Sequence, residues 1–267
     1  TGNSEYYKYH NNTDWQKEVM KNSITHNYFL KVTGGDNIAT YALSMGYARC
    51  QGTIRTTDMV RYNTHFNADF NFSRRFTGAA NFSFTFNEQN LKDQGISDKT
   101  APLFLALTKS PFLTANEVNS KGVFSPNYEE TDFLGVSNPS VLINTMQAFN
   151  KYYRFFGSFR FNYDITKSLT ASALLGVTYD KVRENIFIPR KGVANYDLSN
   201  AVADSRLGSQ VKRLFSFYTD GWLEYKKTVN RYHNVVSRLG IRYQHNDAEQ
   251  DYVLGFNSAT DDLISVQ

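Results

Sequence analysis

The stretch RYNTHFNADFNFS, residues 61 to 73, decides the fold class. Its even positions are Tyr62, Thr64, Phe66, Ala68, Phe70 and Phe72, and its odd positions are Arg61, Asn63, His65, Asn67, Asp69, Asn71 and Ser73. A helix brings positions i, i+3 and i+4 to one face and would mix these sets, whereas a strand separates them completely. The segment is therefore a strand with one apolar and one polar face. The apolar face belongs either to a soluble core or against lipid.

The same alternation recurs in TYALSMGYA (40–48), FTGAANFSFTFN (76–87), YYRFFGSFRFNYD (152–164) and SLTASALLGVTYD (168–180). LFSFYTDGWLEYK (214–226) and HNVVSRLGIRYQ (233–244) follow it less cleanly, because Trp222 and Val236 fall on otherwise polar sides. HNYFLKVTG (26–34) is a shorter strand ahead of the others, which makes eight. Residues 34–37, 74–75, 165–167 and 228–231 are brief connections, and the first, GGDN, suits a tight turn because Gly and Asn tolerate positive φ. Residues 50–58, 89–148 and 182–212 are the longer ones. Short and long connections alternate, so an antiparallel meander carries every short turn at one end and every long loop at the other. Outer-membrane barrels have this asymmetry.

Two further features separate a lipid-facing wall from a soluble sandwich. The polar faces carry Asn, Ser, Thr and Gly with few Lys or Glu, which suits a hydrated lumen. Tyr41, Tyr47, Tyr62, Tyr163 and Tyr179 gather toward strand ends, as interfacial girdles require. Aromatics make up 15% of the 267 residues, with 21 Phe and 18 Tyr against 5 Pro, a β-rich palette. No stretch approaches the ~20 apolar residues of a membrane helix. The mean hydropathy of −0.49 says nothing against a barrel, whose two faces cancel in any window. Net charge +4, with 25 acidic residues interspersed, does not indicate a nucleic-acid partner. Cys50 is the single cysteine, so no internal disulfide or thiolate cluster is expected. No leader segment stands at Thr1, which fits a cytoplasmic protein or a mature chain or fragment.

The longest connection has structure of its own. Thr100 can cap a helix over 101–108 that ends before Pro111, and Asn138 with Pro139 marks a second helix start. Motifs of catalysis are missing: there is no G-x-S-x-G, H-E-x-x-H, P-loop or G-x-G-x-x-G. His10, His26, His65, His233 and His245 are scattered, the adjacent Asp261 and Asp262 would point to opposite faces of a strand, and NFS at 71 and 81 matches a sequon only by composition. The expectation is a non-enzyme without metal or cofactor.

The word order adds a resemblance. TDWQKEV (13–19), LKVTGG (30–35), TYALSMGY (40–47), GTI (52–54), DMVRYN (58–63) and LTKSPFL (107–113) resemble the SusC/RagA family of TonB-dependent outer-membrane transporters. The resemblance implies that residues 1–267 are part of a 22-stranded barrel around a plug, with 89–148 and 182–212 as extracellular loops. It places the start of the chain in the loop after the first barrel strand, with the plug and the TonB-contacting segment outside it. The implied function is import of oligosaccharides or peptides through the outer membrane of a Gram-negative bacterium. The implied partners are a SusD-like surface lipoprotein, outer-membrane lipid and, through the N-terminal part, the TonB complex. Two alternatives are a small closed eight-stranded barrel with an adhesive or structural role, and a soluble β-sandwich that binds carbohydrate.

Within this reading the loops hold the candidate ligand contacts, since exposed aromatics with Asn, Asp and Arg bracket sugars well. They are Phe124, Asn127, Tyr128, Asp132 and Phe133 in one loop, and Arg190, Asn195, Tyr196 and Asp197 in another. Arg61, Asn67, Asp69, Arg154 and Arg160 are expected to face the lumen.

Overall fold

The computed structural model describes residues 5–97, 99–229 and 232–264. Eight long strands, β1 (Thr25–Gly35), β2 (Ala39–Gln51), β3 (Asp58–Asn71), β4 (Phe76–Asn90), β7 (Gln147–Thr166), β8 (Leu169–Ile188), β11 (Arg206–Val229) and β12 (His233–Phe256), form one antiparallel meander. Between and before them lie helices α1 (Tyr6–Tyr9), α2 (Trp15–Val19), α3 (Pro102–Thr108) and α4 (Pro139–Asn144), and the short pairs β5 (Asn116–Val118) with β6 (Phe124–Tyr128) and β9 (Tyr196–Asp197) with β10 (Val202–Ala203).

There is one large sheet, with β1 and β12 each paired on a single side among the described residues, so neither a two-sheet sandwich nor a closed eight-stranded barrel is formed. The register shows the shear that curls a sheet into a barrel. A row of directly opposed residues runs from Gly35, the turn end of β1, through Thr40, Asp69, Ala79, Arg160, Leu174, Asp220 and Arg242. It meets β7 six residues before Thr166 and β11 nine residues before Val229. Nine residues at ~3.4 Å over six spacings of ~4.8 Å is a stagger of ~31 Å across ~29 Å, a strand tilt of about 45°. That is the tilt of a membrane barrel wall.

The faces follow the alternation read from the sequence. Tyr62 pairs with Tyr47 and Phe86, Phe66 with Leu43 and Phe82, and Phe159 with Ala80 and Leu175, all on the apolar side. Rings continue across five strands: Tyr28–Tyr47 at 6.2 Å, Tyr47–Tyr62 at 5.0 Å, Tyr62–Phe86 at 6.1 Å and Phe86–Tyr153 at 4.8 Å. A second aromatic group, Phe70, Phe72, Phe76 and Phe161, stacks near the short turns at centroid distances of 5.0 to 6.0 Å. Tyr62 on β3 and Phe72, the residue just past its end, are ten residues apart, about 34 Å of extended chain and ~24 Å after the tilt, which is the height of a barrel's apolar band. Trp222 and Val236 do lie on the polar side, opposite Gly240 and Lys226. A Cβ at Gly240 would come within 2.8 Å of Trp222 Cβ and 2.9 Å of Gly221 O, so glycine there lets the two strands approach at Trp222.

Several boundaries differ from the sequence expectation. β7 and β8 run 20 residues and β11 and β12 run 24, so the connection expected over 182–212 shrinks to 189–205 and that over 89–148 to 91–146. The added residues make these strands longer than the ~10 residues a membrane-crossing strand needs, and no apolar alternation marks them in the sequence. Asn138 caps α4 as expected, accepting from Ser140 N at 3.0 Å. Thr100 does not cap α3: the cap position is Ala101, Pro102 starts the helix, and Thr100 Oγ1 instead donates to Asp93 Oδ2 at 2.6 Å. The turn after β1 centres on Asp36, whose Oδ1 accepts from Ile38 N and Ala39 N at 2.8 and 2.9 Å. Residues 230 and 231 of the 228–231 turn lie outside the described residues.

Candidate functional site

All the long connections meet at one end of the sheet and build a cap with its own core. Trp15, Val19, Ile54, Ala106, Leu113 and Ile143 form one apolar cluster, so the segment before β1, the β2–β3 loop and both loop helices are packed together. Leu105, Val141, Leu142, Met146, Ile188 and Val193 form a second, which adds the β8–β11 connection. Among the described residues the sheet has no comparable cluster, because one layer cannot bury either face.

Among the described residues, side-chain polar groups buried in the cap have partners. Trp15 Nε1 donates to Ser110 O at 2.9 Å. Asn138, fully buried, donates to Ala115 O at 2.8 Å and Glu129 O at 2.9 Å while it caps α4. Lys109 and Asp132 make a 2.9 Å ion pair with 2% and 7% of their side chains exposed. Lys109 also donates to Val136 O, and Asp132 Oδ1 accepts from Leu134 N and Val136 N. Burial pushes the Lys109 ammonium below its ordinary range and the Asp132 carboxylate pulls the other way. Lys92 is also buried, with its ammonium on the Met146 carbonyl, and burial lowers its pKa to about 8.

The expected ligand residues divide by environment. Phe124 and Phe133 are solvent-exposed, whereas Tyr128 packs against the second cluster. Asp132 is held in the buried pair, so both its oxygens are engaged within the cap. Asn127 Nδ2 donates to Glu117 Oε2 at 3.2 Å, and Lys191 Nζ donates to Glu117 Oε1 at 3.0 Å. Glu117 thus ties the 124–133 hairpin to the connection that holds Arg190, and those two donors, Lys191 first, keep its carboxyl below the usual range. Glu117 carries no signal in the sequence, because nothing in its local pattern marks a partner 74 residues away. Arg190 pairs with Asp204 at 3.8 Å, Asp197 with Lys99 at 3.7 Å, and Tyr196 lies under the Arg206 guanidinium at 4.7 Å; Asn195 is exposed. Asp261 is in a turn, not on a strand, and accepts from Arg190 N and Lys191 N.

The five residues expected in a lumen share the polar face of the sheet. Arg154 makes a two-pronged pair with Asp180 at 2.7 and 2.8 Å, joined by Tyr152 Oη at 3.2 Å. Arg160 borders a concavity with Asp220, Trp222, Arg238 and Arg242, in which Asp220 and Arg242 pair at 2.7 Å. Arg61, Asn67 and Asp69 are exposed on β3.

No family model matches the chain. Among curated proteins it is 30% identical over 81 residues to the TonB-dependent receptor SusC of Bacteroides thetaiotaomicron, a match over 30% of this chain and 7% of SusC. Among solved structures it superposes on the RagAB peptide transporter with a TM-score of 0.68 at 18% identity, over 97% of this chain and 29% of that one. The RagAB peptide importer in its open-open state gives 0.68 at 19% identity, over 92% and 27%. The open form of the ferric-catecholate import receptor Fiu from E. coli K12 gives 0.51 at 12%, over 85% and 33%. The chain therefore spans a third or less of the structures it matches and a small part of SusC.

Proposed function

We propose, from the premise that the chain is a SusC/RagA-like length of TonB-dependent transporter barrel, that it forms wall and extracellular cap of an outer-membrane importer. In this reading the apolar face, with its two aromatic levels ~24 Å apart, meets lipid. The polar face with Arg61, Asn67, Asp69, Arg154 and Arg160 lines the lumen. The cap stands outside the cell, where a SusD-like lipoprotein meets it and where oligosaccharide or peptide is first held. Phe124, Asn127, Phe133, Asn195 and Tyr196 are its ligand-contact candidates, with Tyr128, Asp132, Arg190 and Asp197 holding their positions. Energy reaches the barrel through TonB and a plug.

The observation that carries this is the pairing of a sheared, two-faced sheet with a cap at one end only. A soluble binding module has no use for a continuous exposed apolar face of this height. The test is uptake by cells that carry or lack the full-length gene. The expected result is accumulation of peptides or oligosaccharides that needs both the gene and TonB, with a surface lipoprotein co-purifying. Uptake unchanged by loss of either would contradict the reading.

A further inference from the structure

On the apolar face, the character of β7, β8 and β11 changes within three rows. Phe155, Tyr179 and Phe215 stand directly opposed and exposed. Two residues closer to the cap the opposed row is Tyr153, Lys181 and Arg213, and two further on it is Lys151, Arg183 and Val211. Four cations therefore occupy three neighbouring strands where the apolar surface ends.

The register sets Lys151 directly opposite Arg183, and Lys181 directly opposite Arg213. Like charges so placed repel, and the flanking acids answer only the outer two. Lys151 pairs with Glu88 on β4 at 2.9 Å, and Arg213 pairs with Glu249 at 2.7 Å and Asp251 at 3.3 Å on β12. Lys181 and Arg183, in the middle, make no ion pair among the described residues, and Arg183 is exposed. The acids nearest to them on β8, Asp180 and Glu184, lie on the other face, where Asp180 holds Arg154 and Glu184 accepts from Asn150.

We propose that Lys181 and Arg183, flanked by Lys151 and Arg213, bind the phosphate-bearing headgroup of a lipid in the cap-side leaflet, with its acyl chains on Phe155, Tyr179 and Phe215. The inference rests on the lipid-facing wall of the importer reading above. Three strands are two spacings of ~4.8 Å, and residues 179 to 183 span ~14 Å. The frame of ~10 by ~14 Å thus sets anionic charge directly beside tails. The Arg183 guanidinium offers a fork to two phosphate oxygens and Lys181 a point charge, while their stems lie along the apolar surface and their heads reach outward. Continuity of the cations with the rings is what selects this occupant. A soluble anion would answer the charge and leave the rings bare, and a zwitterionic headgroup would bring a further cation to a patch that already has four.

The test is native mass spectrometry of the purified full-length protein in detergent, titrated with phosphatidic acid and, separately, with phosphatidylcholine of the same acyl chains. Phosphatidic acid is expected to bind about tenfold or more tightly than phosphatidylcholine. The double variant Lys181→Gln with Arg183→Gln should erase that preference, Lys181→Arg should keep it, and Lys167→Gln in a short turn should leave it unchanged. Heat-modifiable migration checks that each variant is folded. Equal binding of the two lipids overturns the inference, as does a preference that the double variant retains. Displacement of the lipid by an equal concentration of inorganic phosphate would mark a soluble-anion site, and loss of a second copy of the chain rather than of lipid would mark a protein contact; either result also overturns it. Lipid exposure of the wall below, at Phe155 and Phe159, is measured separately with spin labels, so failure of the headgroup site alone leaves the importer reading standing.

Discussion

The sheet and the cap are held together by different physics, although one chain builds both. In the sheet, backbone ladders run for up to 24 residues and each face is one side chain deep, so its apolar side remains exposed until something outside the chain covers it. In the cap, five separate stretches of sequence bury Trp15, Leu105, Leu142 and Ile143 against one another. The sheet needs a covering from outside the described residues; the cap carries its own core. Substitutions should therefore act on the cap through packing and desolvation, and on the sheet through the solvent it faces.

The largest effect is expected at the cap's buried ion pair. Lys109→Met leaves Asp132 charged and without its ammonium, at a cost of about 3–5 kcal/mol. It should open the 109–136 segment to protease in the full-length protein while the barrel keeps its heat-modifiable migration. Adding Asp132→Leu should recover most of that loss; no recovery would mean that packing, not charge, dominates there. Next, Phe66→Arg places a charge midway between the aromatic levels and should cost about 2–4 kcal/mol in a lipid-facing wall. Its neighbour substitution Asn67→Arg, on the polar face, should be nearly silent. Equal effects at 66 and 67 would erase the distinction between the faces. Both are read from urea unfolding in detergent or vesicles.

The third effect is a pH dependence. Burial lowers Lys92 to about 8 in the folded cap against 10.5 when free. Between those values the unfolded chain binds more protons, so stability rises as pH rises through about 8 to 10.5, and is at its lower plateau below 8. The difference is on the order of 3 kcal/mol, and Lys92→Met should remove it. A cap-proteolysis midpoint with the same pH slope in both proteins would contradict this. Smallest is Asp36→Ala, which removes two acceptor contacts in an exposed turn. Faster amide exchange confined to Ile38 and Ala39 is expected, with no change in the cap.

What could be read from the sequence follows the same division. Period-two alternation placed all eight long strands and their faces, even at Trp222 and Val236, because the two faces of a single-layer sheet make opposite demands on successive residues. The cap-side ends of β7, β8, β11 and β12 carry no such signal, because residues such as Lys181, Arg183 and Arg213 follow no apolar period. The cap was legible only locally. Asn138–Pro139 announced α4 through its own geometry, but the Trp15–Ser110 bond, the Lys109–Asp132 pair and Glu117's bond to Lys191 join residues 23 to 95 positions apart. Asp132 was expected to meet ligand because an Asp beside aromatics suits a sugar, and only its burial opposite Lys109 reveals its part in holding the loop.

The central claim is that residues 61–73 cross the outer membrane with even positions toward lipid. The direct measurement is a spin-label accessibility scan of these positions in the full-length protein in vesicles, in a Cys50→Ser background. The account predicts a period of two: labels at Tyr62, Thr64, Phe66, Ala68 and Phe70 relaxed by oxygen, and labels at Asn63, His65, Asn67 and Asp69 relaxed by a water-soluble nickel chelate. Even positions shielded from both reagents would place them in a protein core, and the lipid-facing wall would have to be abandoned.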